Sequence, residues 1–378
     1  MNQFCFGVDV GGTTIKMGLF DTEGNVLDKW EIVTDTSEKG KNVLPDIAKA
    51  VKSKMEEKNI NSEQVKGVGV GVPGPVDGHG IVHRCVNLGW DVLNVNEELG
   101  KLLSMPVQAG NDANVAALGE MWKGGGQGYS NLVVVTLGTG VGGGIIVDGK
   151  MLTGVSGAGG EIGHIHIMDG EPDVCGCGNR GCLEQYASAT GLVRLANRKL
   201  QSTDQETILT SQEVSAKSIW DAVKAGDAVA IEIAEQFGEY LGKGLAAIAG
   251  VVNPEVFVIG GGVSKAGEIL LSYIRKSYEE YVFHGSRNAG FTLATLGNDA
   301  GIFGAARLVL EYHRLMLQGS ARLLLFPAML CLILRKILIL RSKRRISVSI
   351  RIAPVVLVDS ILIRHLLQSV LPISHRES

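Results

Sequence analysis

"FCFGVDVGGTTIKMGLFD", residues 4–21, decides the fold class. Residues 4–10 are a short apolar run that closes on Asp9 and Val10, the pattern of a buried strand. Gly11, Gly12, Thr13 and Thr14 predict a turn, and residues 15–21 a second strand. "TEGN" (22–25) turns the chain again into "VLDKWEIVT" (26–34). The same cycle restarts at "NLVVVTLGTGVGGGIIVDG", residues 131–149: strand, glycine turn, strand. Two such openings predict an α/β chain of two related domains facing each other across a cleft.

The segments between and after them keep the α/β alternation. Val43, Ile47, Val51 and Met55 recur at helical spacing within 41–58. "VKGVGVGVPGP" (65–75) reads as a strand entering a Gly/Pro loop. "PVQAGNDANVAALGE" (106–120) reads as a strand end, then a helix opening near Asn111 or Asp112. A long helix is expected over about 228–250, with Ala234, Phe237, Leu241, Leu245 and Ile248 on one face. "PEVFVIGGG" (254–262) is a strand into a third glycine turn, and 264–281 a helix after it.

Length and composition narrow the function classes. The 378 residues suffice for two well-buried cores. A net charge of −3 gives no global signal for a nucleic-acid partner. Six cysteines in a chain this long do not make a disulfide framework. The first ten residues lack a basic segment and a long apolar run, so no signal peptide is read and a cytoplasmic location is expected. The charge is unevenly spread. Residues 314–378 hold 11 Lys/Arg against 2 Asp/Glu, while the preceding 313 hold 25 against 37. "LLLFPAMLCLIL" (323–334) is apolar for only 12 residues and contains Pro327, too short for a span of about 20. "RKILILRSKRR" (335–345) is a basic–apolar stretch of the kind that lies on anionic membranes. The preferred reading is blander: residues 313–378 are a tail outside the fold, of the Leu/Arg-rich kind a frame disruption yields.

Glycine turns carry the first chemical signal. Gly69, Gly71, Gly74 and Gly138, Gly140, Gly143 both match G-x-G-x-x-G after a strand. A dinucleotide site also needs a helix to open at the last glycines, and here a loop and a strand follow. The pattern G-x-x-x-x-G-K-[ST] does not occur. "DVGGTT" (9–14) fits a different phosphate site: Gly11 and Gly12 let backbone N–H groups approach phosphate oxygens, and Thr13 and Thr14 add hydroxyls. Asp9 is placed to hold Mg²⁺ or its waters. Gly138, Thr139 and Gly140 repeat the device, and Gly261 and Gly262 supply a third turn. Each turn alone could be a plain hairpin; together they favour a nucleotide between domains. In "NDAN" (111–114), Asp112 stands where a strand meets a helix, which suits a general base facing a cleft and equally a helix cap.

"CGCGNRGCLE" (175–184) places three cysteines in eight positions. Cys175 and Cys177, one residue apart, are too close for an unstrained disulfide. Zinc sites close at four ligands. Cys175, Cys177 and Cys182 offer three, and "GEIGHIHI" (160–167) offers His164 or His166 as the fourth. The two histidines alternate on an expected strand and so point to opposite faces. Such a filled shell is structural rather than catalytic.

These stretches stand in a familiar order. "DVGGTTIK", "GVPGPVD", "NDANVAALGE", "LGTGVGGGII", "GEIGHI", "CGCGNRGCLE" and "VIGGGVS" resemble the motifs of the ROK family of sugar kinases and repressors, over about residues 4–312. "CGCGNRGCLEQYASATG" (175–191) is most similar to the glucokinase branch. The resemblance implies an actin/hexokinase-like fold with two ribonuclease-H-like domains. The expected division is 1–118, then 119–297 with the zinc loop, then a helix over 298–312 returning to the first domain. It implies His164, not His166, as the zinc ligand. It implies Glu161, His164 and Glu184 at sugar hydroxyls, and Asn111 and Asp112 at the other end of the sugar. The implied activity is ATP-dependent phosphorylation of D-glucose at the 6-hydroxyl, with Asp112 as base, Mg²⁺ as cofactor and a role in glycolysis. The alternatives are a kinase for another hexose such as N-acetylmannosamine, or a non-catalytic sugar-sensing ROK protein. A homodimer or homotetramer is the expected assembly. The repressors of the family carry a DNA-binding domain ahead of the "DxGGT" strand, for which the residues before Asp9 leave no room.

Overall fold

A computed structural model of the chain describes residues 3–317. The expectations for the tail from residue 318 onward lie outside the described residues. Two five-stranded sheets organise the rest. The first contains β1 (Phe4–Val10), β2 (Thr14–Asp21), β3 (Val26–Val33), β4 (Val65–Val72) and, beyond a short ribbon of β5 (Ile81–Val82) and β6 (Leu93–Asn94), β7 (Val107–Asn111). The second contains β8 (Leu132–Leu137), β9 (Val141–Val147), β10 (Lys150–Met151), β11 (Val256–Gly260) and β12 (Gly290–Leu293). The orders are β3-β2-β1-β4-β7 and β10-β9-β8-β11-β12, the same topology twice. In each, a hairpin carries the glycine turn at its tip, and two parallel strands extend the sheet on the other side.

Helices cover both sheets: a single turn α1 (Ser37–Gly40), then α2 (Val43–Glu57), α3 (Val95–Leu103), α4 (Asp112–Lys123), a short α5 (Glu184–Ala187), α6 (Ala189–Gln201), α7 (Ala216–Lys224), α8 (Ala228–Val252) and α9 (Glu268–Tyr281). A last helix, α10, spans 300–317 of the described residues. It runs past residue 312, since His313-Arg314-Leu315-Met316-Leu317 contains no glycine or proline to stop it.

The apolar run of β1 is continuous because both its faces are covered. Phe6, Val8 and Val10 pack with Ile47 and Val51 of α2 on one side. Cys5 packs with Ile302 and Ala306 of α10 on the other. Gly7 and its cross-strand neighbour Gly69 make a flat bed there. A Cβ on Gly7 would sit 2.0 Å from the Ile302 carbonyl, and one on Gly69 1.7 Å from that of Ala305.

Two helices change sheets. α4 leaves β7 of the first sheet, yet Ala117 and Leu118 pack with Leu132, Val134 and Ile146 of the second. α10 follows the second sheet and lies on the first. They cross where Gly119 meets the Ala300 carbonyl and Gly304 meets that of Val115; added Cβ atoms would stand 2.2 and 1.6 Å away.

Two local expectations are corrected. Residues 162–164 are one 3₁₀ turn, not a strand, and only His166 makes a bridge, opposite Cys182. Gly163 comes too close to β9 for a strand with side chains on both faces, its Cβ position being 2.2 Å from the Val141 carbonyl. The helix after the third glycine turn begins at Glu268, because Gly267 has φ +86 and separates it from a 3₁₀ turn at Val263–Ala266.

Replacing Gly304 by Ala forces backbone apart at the crossing. The variant is expected to lose about 3 kcal/mol or more, and both sheets should melt together. Denaturant unfolding of Gly304→Ala with wild-type stability would show that the helices are not held this tightly.

Candidate active site

The junction of β7 and α4 places the acidic group. Asn111 is the helix cap, its Oδ1 accepting from the Asn114 N–H at 3.1 Å. Its Nδ2 donates to the Gly74 carbonyl and to Asp112 Oδ1, each at 3.0 Å. The Ala113 N–H also donates to Asp112 Oδ1, at 2.8 Å. The helix cap is thus Asn111 rather than Asp112, and the same side chain that caps α4 also holds the Asp112 carboxylate. Asn114, not singled out in the sequence, donates Nδ2 to the Gly159 carbonyl at 3.0 Å, while its buried Oδ1 has no partner among the described residues. Its place three residues after Asn111 was the available signal.

Burial raises the Asp112 pKa, and the charge of Glu161 adds to it, against the bonds from Ala113 and Asn111. Asp9 is raised to about 6 by burial and by the charge of Asp112, with Lys16 opposing. Gly301, at the start of α10, fits against this carboxyl; a Cβ there would stand 2.5 Å from Asp9 Oδ2. One acid from β1 and one from α4 thus share a confined space that Glu161 faces.

The glycine turns are open. At Gly12, Gly138 and Gly262 an added Cβ would meet nothing within 4 Å, so their backbones are free to receive a ligand. The first turn is tied by the Gly11 N–H to the Thr14 carbonyl at 3.0 Å and by Thr34 Oγ1 to the Gly11 carbonyl at 2.7 Å. Thr13 and Thr139 are exposed. Gly261, with φ +83, lies against Leu137, so the second and third turns touch. Gly140 makes room for Glu184, whose Oε2 accepts the Val141 N–H at 3.0 Å.

His164, Cys175, Cys177 and Cys182 gather with their ligand atoms all within 4.8 Å of one another. Cys175 Sγ lies 3.7 Å from His164 Nδ1, and Cys177 Sγ 3.6 Å from Cys182 Sγ. Tetrahedral zinc with bonds of about 2.0–2.3 Å separates its ligands by about 3.5–3.8 Å, so this donor set fits that ion. His166 is engaged elsewhere: Nδ1 faces the Arg180 carbonyl at 2.9 Å and Nε2 faces Asp169 Oδ1 at 3.0 Å. Glu184 Oε1 lies 3.8 Å from Cys175 Sγ, which puts the thiol cluster beside a cleft carboxylate.

A carboxyl whose pKa is raised on folding contributes stability in acid that is lost as pH climbs through the folded value. For Asp9 that loss begins near its ordinary value of 3.8 and is complete above about pH 6. Asp9→Asn, melted without added magnesium, should gain about 1.4 kcal/mol relative to wild type between pH 5 and pH 8. A pH-independent difference would contradict the confined acidic pair.

A family model described as the ROK family matches residues 5–312. A glucokinase of Halalkalibacterium halodurans is 41% identical over 325 residues, 84% of this chain and 98% of that protein. A ROK family glucokinase from Streptomyces griseus, solved with glucose and AMPPNP, is 36% identical with a TM-score of 0.63, covering 81% of this chain and 98% of that one. A ROK hexokinase from Thermus thermophilus is 34% identical with a TM-score of 0.68, covering 82% and 97%. With its doubled sheet, its swapped helices and this match along the described fold, the chain belongs to the ROK family.

Proposed function

We propose that this protein is a glucokinase: it transfers the γ-phosphoryl group of ATP to the 6-hydroxyl of D-glucose, with Asp112 as general base. The observation that carries this reading is the buried Asp112 carboxylate, fixed on one oxygen by Ala113 and Asn111 and within electrostatic reach of Asp9 and Glu161. The similarity to glucokinases supports the substrate.

Phosphoryl transfer depends mainly on positioning and charge neutralisation. Asn111 and Asp112 hold the reacting end of glucose, and Glu161, His164 and Glu184 hold its other hydroxyls. Asp112 accepts the proton of the 6-hydroxyl as that oxygen attacks phosphorus and the bond to the ADP oxygen breaks. The three glycine turns, through Gly11 and Gly12, Gly138 and Gly140, and Gly261 and Gly262, with the hydroxyls of Thr13, Thr14 and Thr139, receive the phosphates; Gly12, Gly138 and Gly262 are their open positions. Asp9 is the residue that would hold Mg²⁺, which supplies positive charge to the phosphate oxygens. The cluster of His164, Cys175, Cys177 and Cys182 would hold Zn²⁺ as a structural ion. Bound there, it would fix the His164 ring, whose Nδ1 lies 3.7 Å from Cys175 Sγ, and leave Nε2 for a sugar hydroxyl.

Asp112→Asn should fold and bind glucose while kcat falls by about a thousandfold, the scale on which a positioned base works. Near-wild-type turnover would remove Asp112 as the base. Because Asp112 must be ionised to accept a proton, kcat/KM should fall as pH drops through a midpoint above the ordinary carboxylate range. Cys177→Ser should loosen zinc and raise the glucose KM several-fold. Metal analysis showing one zinc per chain, with an unchanged KM, would separate the thiol cluster from sugar binding.

A further inference from the structure

A second clasp holds the same pocket without any metal. Glu171 lies in the segment between His164 and Cys175, and its side chain is 1% exposed. A buried carboxylate needs partners, and this one has four. It accepts hydrogen bonds from Tyr186 Oη and from Arg194 Nη2, from Arg198 Nη2 at 3.4 Å, and from the Asp173 N–H at 3.0 Å. The Arg194 guanidinium also lies 5.1 Å above the Tyr186 ring, which packs on Tyr240 at 4.4 Å. Burial alone would raise the Glu171 pKa, but the bonds from Tyr186 and Asp173 and the charge of Arg194 outweigh it and hold the group at about 2. It is a permanent anion at working pH.

Tyr186 and Glu184 share the single turn α5. One side of that turn is tied to the thiol loop, where the Cys182 N–H donates to Gln185 Oε1 at 3.1 Å and Gln185 Nε2 to the Asp173 carbonyl at 3.0 Å. The other side is tied to Glu171 through Tyr186. A four-residue helix has little stability of its own, so its place is set by these ties. We propose that Glu171 is a positioning residue for sugar binding: through Tyr186, and braced on α6 by Arg194, it fixes the α5 turn so that Glu184 keeps its place between Val141 and Cys175. This rests on the reading of Glu184 as a sugar ligand.

The test uses Glu171→Gln, which keeps the volume, and Tyr186→Phe, which removes one hydroxyl. In both, the glucose KM should rise at least fivefold, with kcat and the ATP KM within twofold of wild type. Amide exchange over 183–187 should quicken at least tenfold, while exchange in the first sheet is unchanged. A folded variant with wild-type glucose KM and wild-type exchange at α5 would overturn the proposal. So would a uniform shift of kcat and both KM values with faster exchange everywhere, the mark of a general brace. The exchange measurement needs no sugar. If wild type phosphorylates no glucose, slow exchange at α5 in either variant still overturns the clasp, and fast exchange confined to α5 still upholds it.

Discussion

Everything in this molecule passes through the crossing of α4 and α10. Each helix leaves one sheet and packs on the other, and the crossing is close because Gly119 and Gly304 bring helix to backbone without a Cβ between them. That exchange joins two sheets of identical topology into one compact unit. It also sets the chemistry at its two ends. The start of α4 carries Asp112, and the start of α10 carries Gly301 against Asp9. The two acids meet because the helices that bear and confine them cross.

The second sheet supplies the rest of the site through a chain of contacts. β8 and β9 hold the glycine turn at 138–140. Gly140 admits Glu184, and Glu184 borders the thiol cluster. The cluster and the Glu171 network grip the same short turn from opposite sides. One does so with ligands fit for an ion and the other with a buried anion and two arginines. The redundancy has a physical reason. The segment 152–183 contains no regular strand or long helix, so its shape depends on side-chain anchors rather than on a backbone ladder.

Local features of the sequence were readable because they depend on near neighbours. The β1 run was a buried strand, and its glycine turn and the repeat at 131–149 announced a doubled α/β fold. Val43, Ile47, Val51 and Met55 did form one buried face. The three cysteines of the cluster could be grouped because they lie in one loop; His164 rather than His166 beside them came from the family resemblance, and the structure gathers those four side chains. Other features needed the folded chain. Gly119 and Gly304 are ordinary glycines in helical patterns, and nothing nearby says that each will meet another helix. Glu171 sits among loop residues, and its side-chain partners lie 15 to 27 residues away. Alternation at His164 and His166 pointed to a strand; the approach of Gly163 to β9 made it a turn.

The family membership and the similarity to glucokinases support ATP-dependent phosphorylation of glucose. The direct measurement is the initial rate of ADP formation by the full chain with Mg-ATP, for glucose, N-acetylmannosamine, fructose, mannose and glucosamine in turn, with zinc content assayed on the same sample. The account predicts the highest kcat/KM for glucose and negligible ADP release without sugar. A zinc-loaded, folded sample that prefers another sugar, or that phosphorylates none, would contradict it.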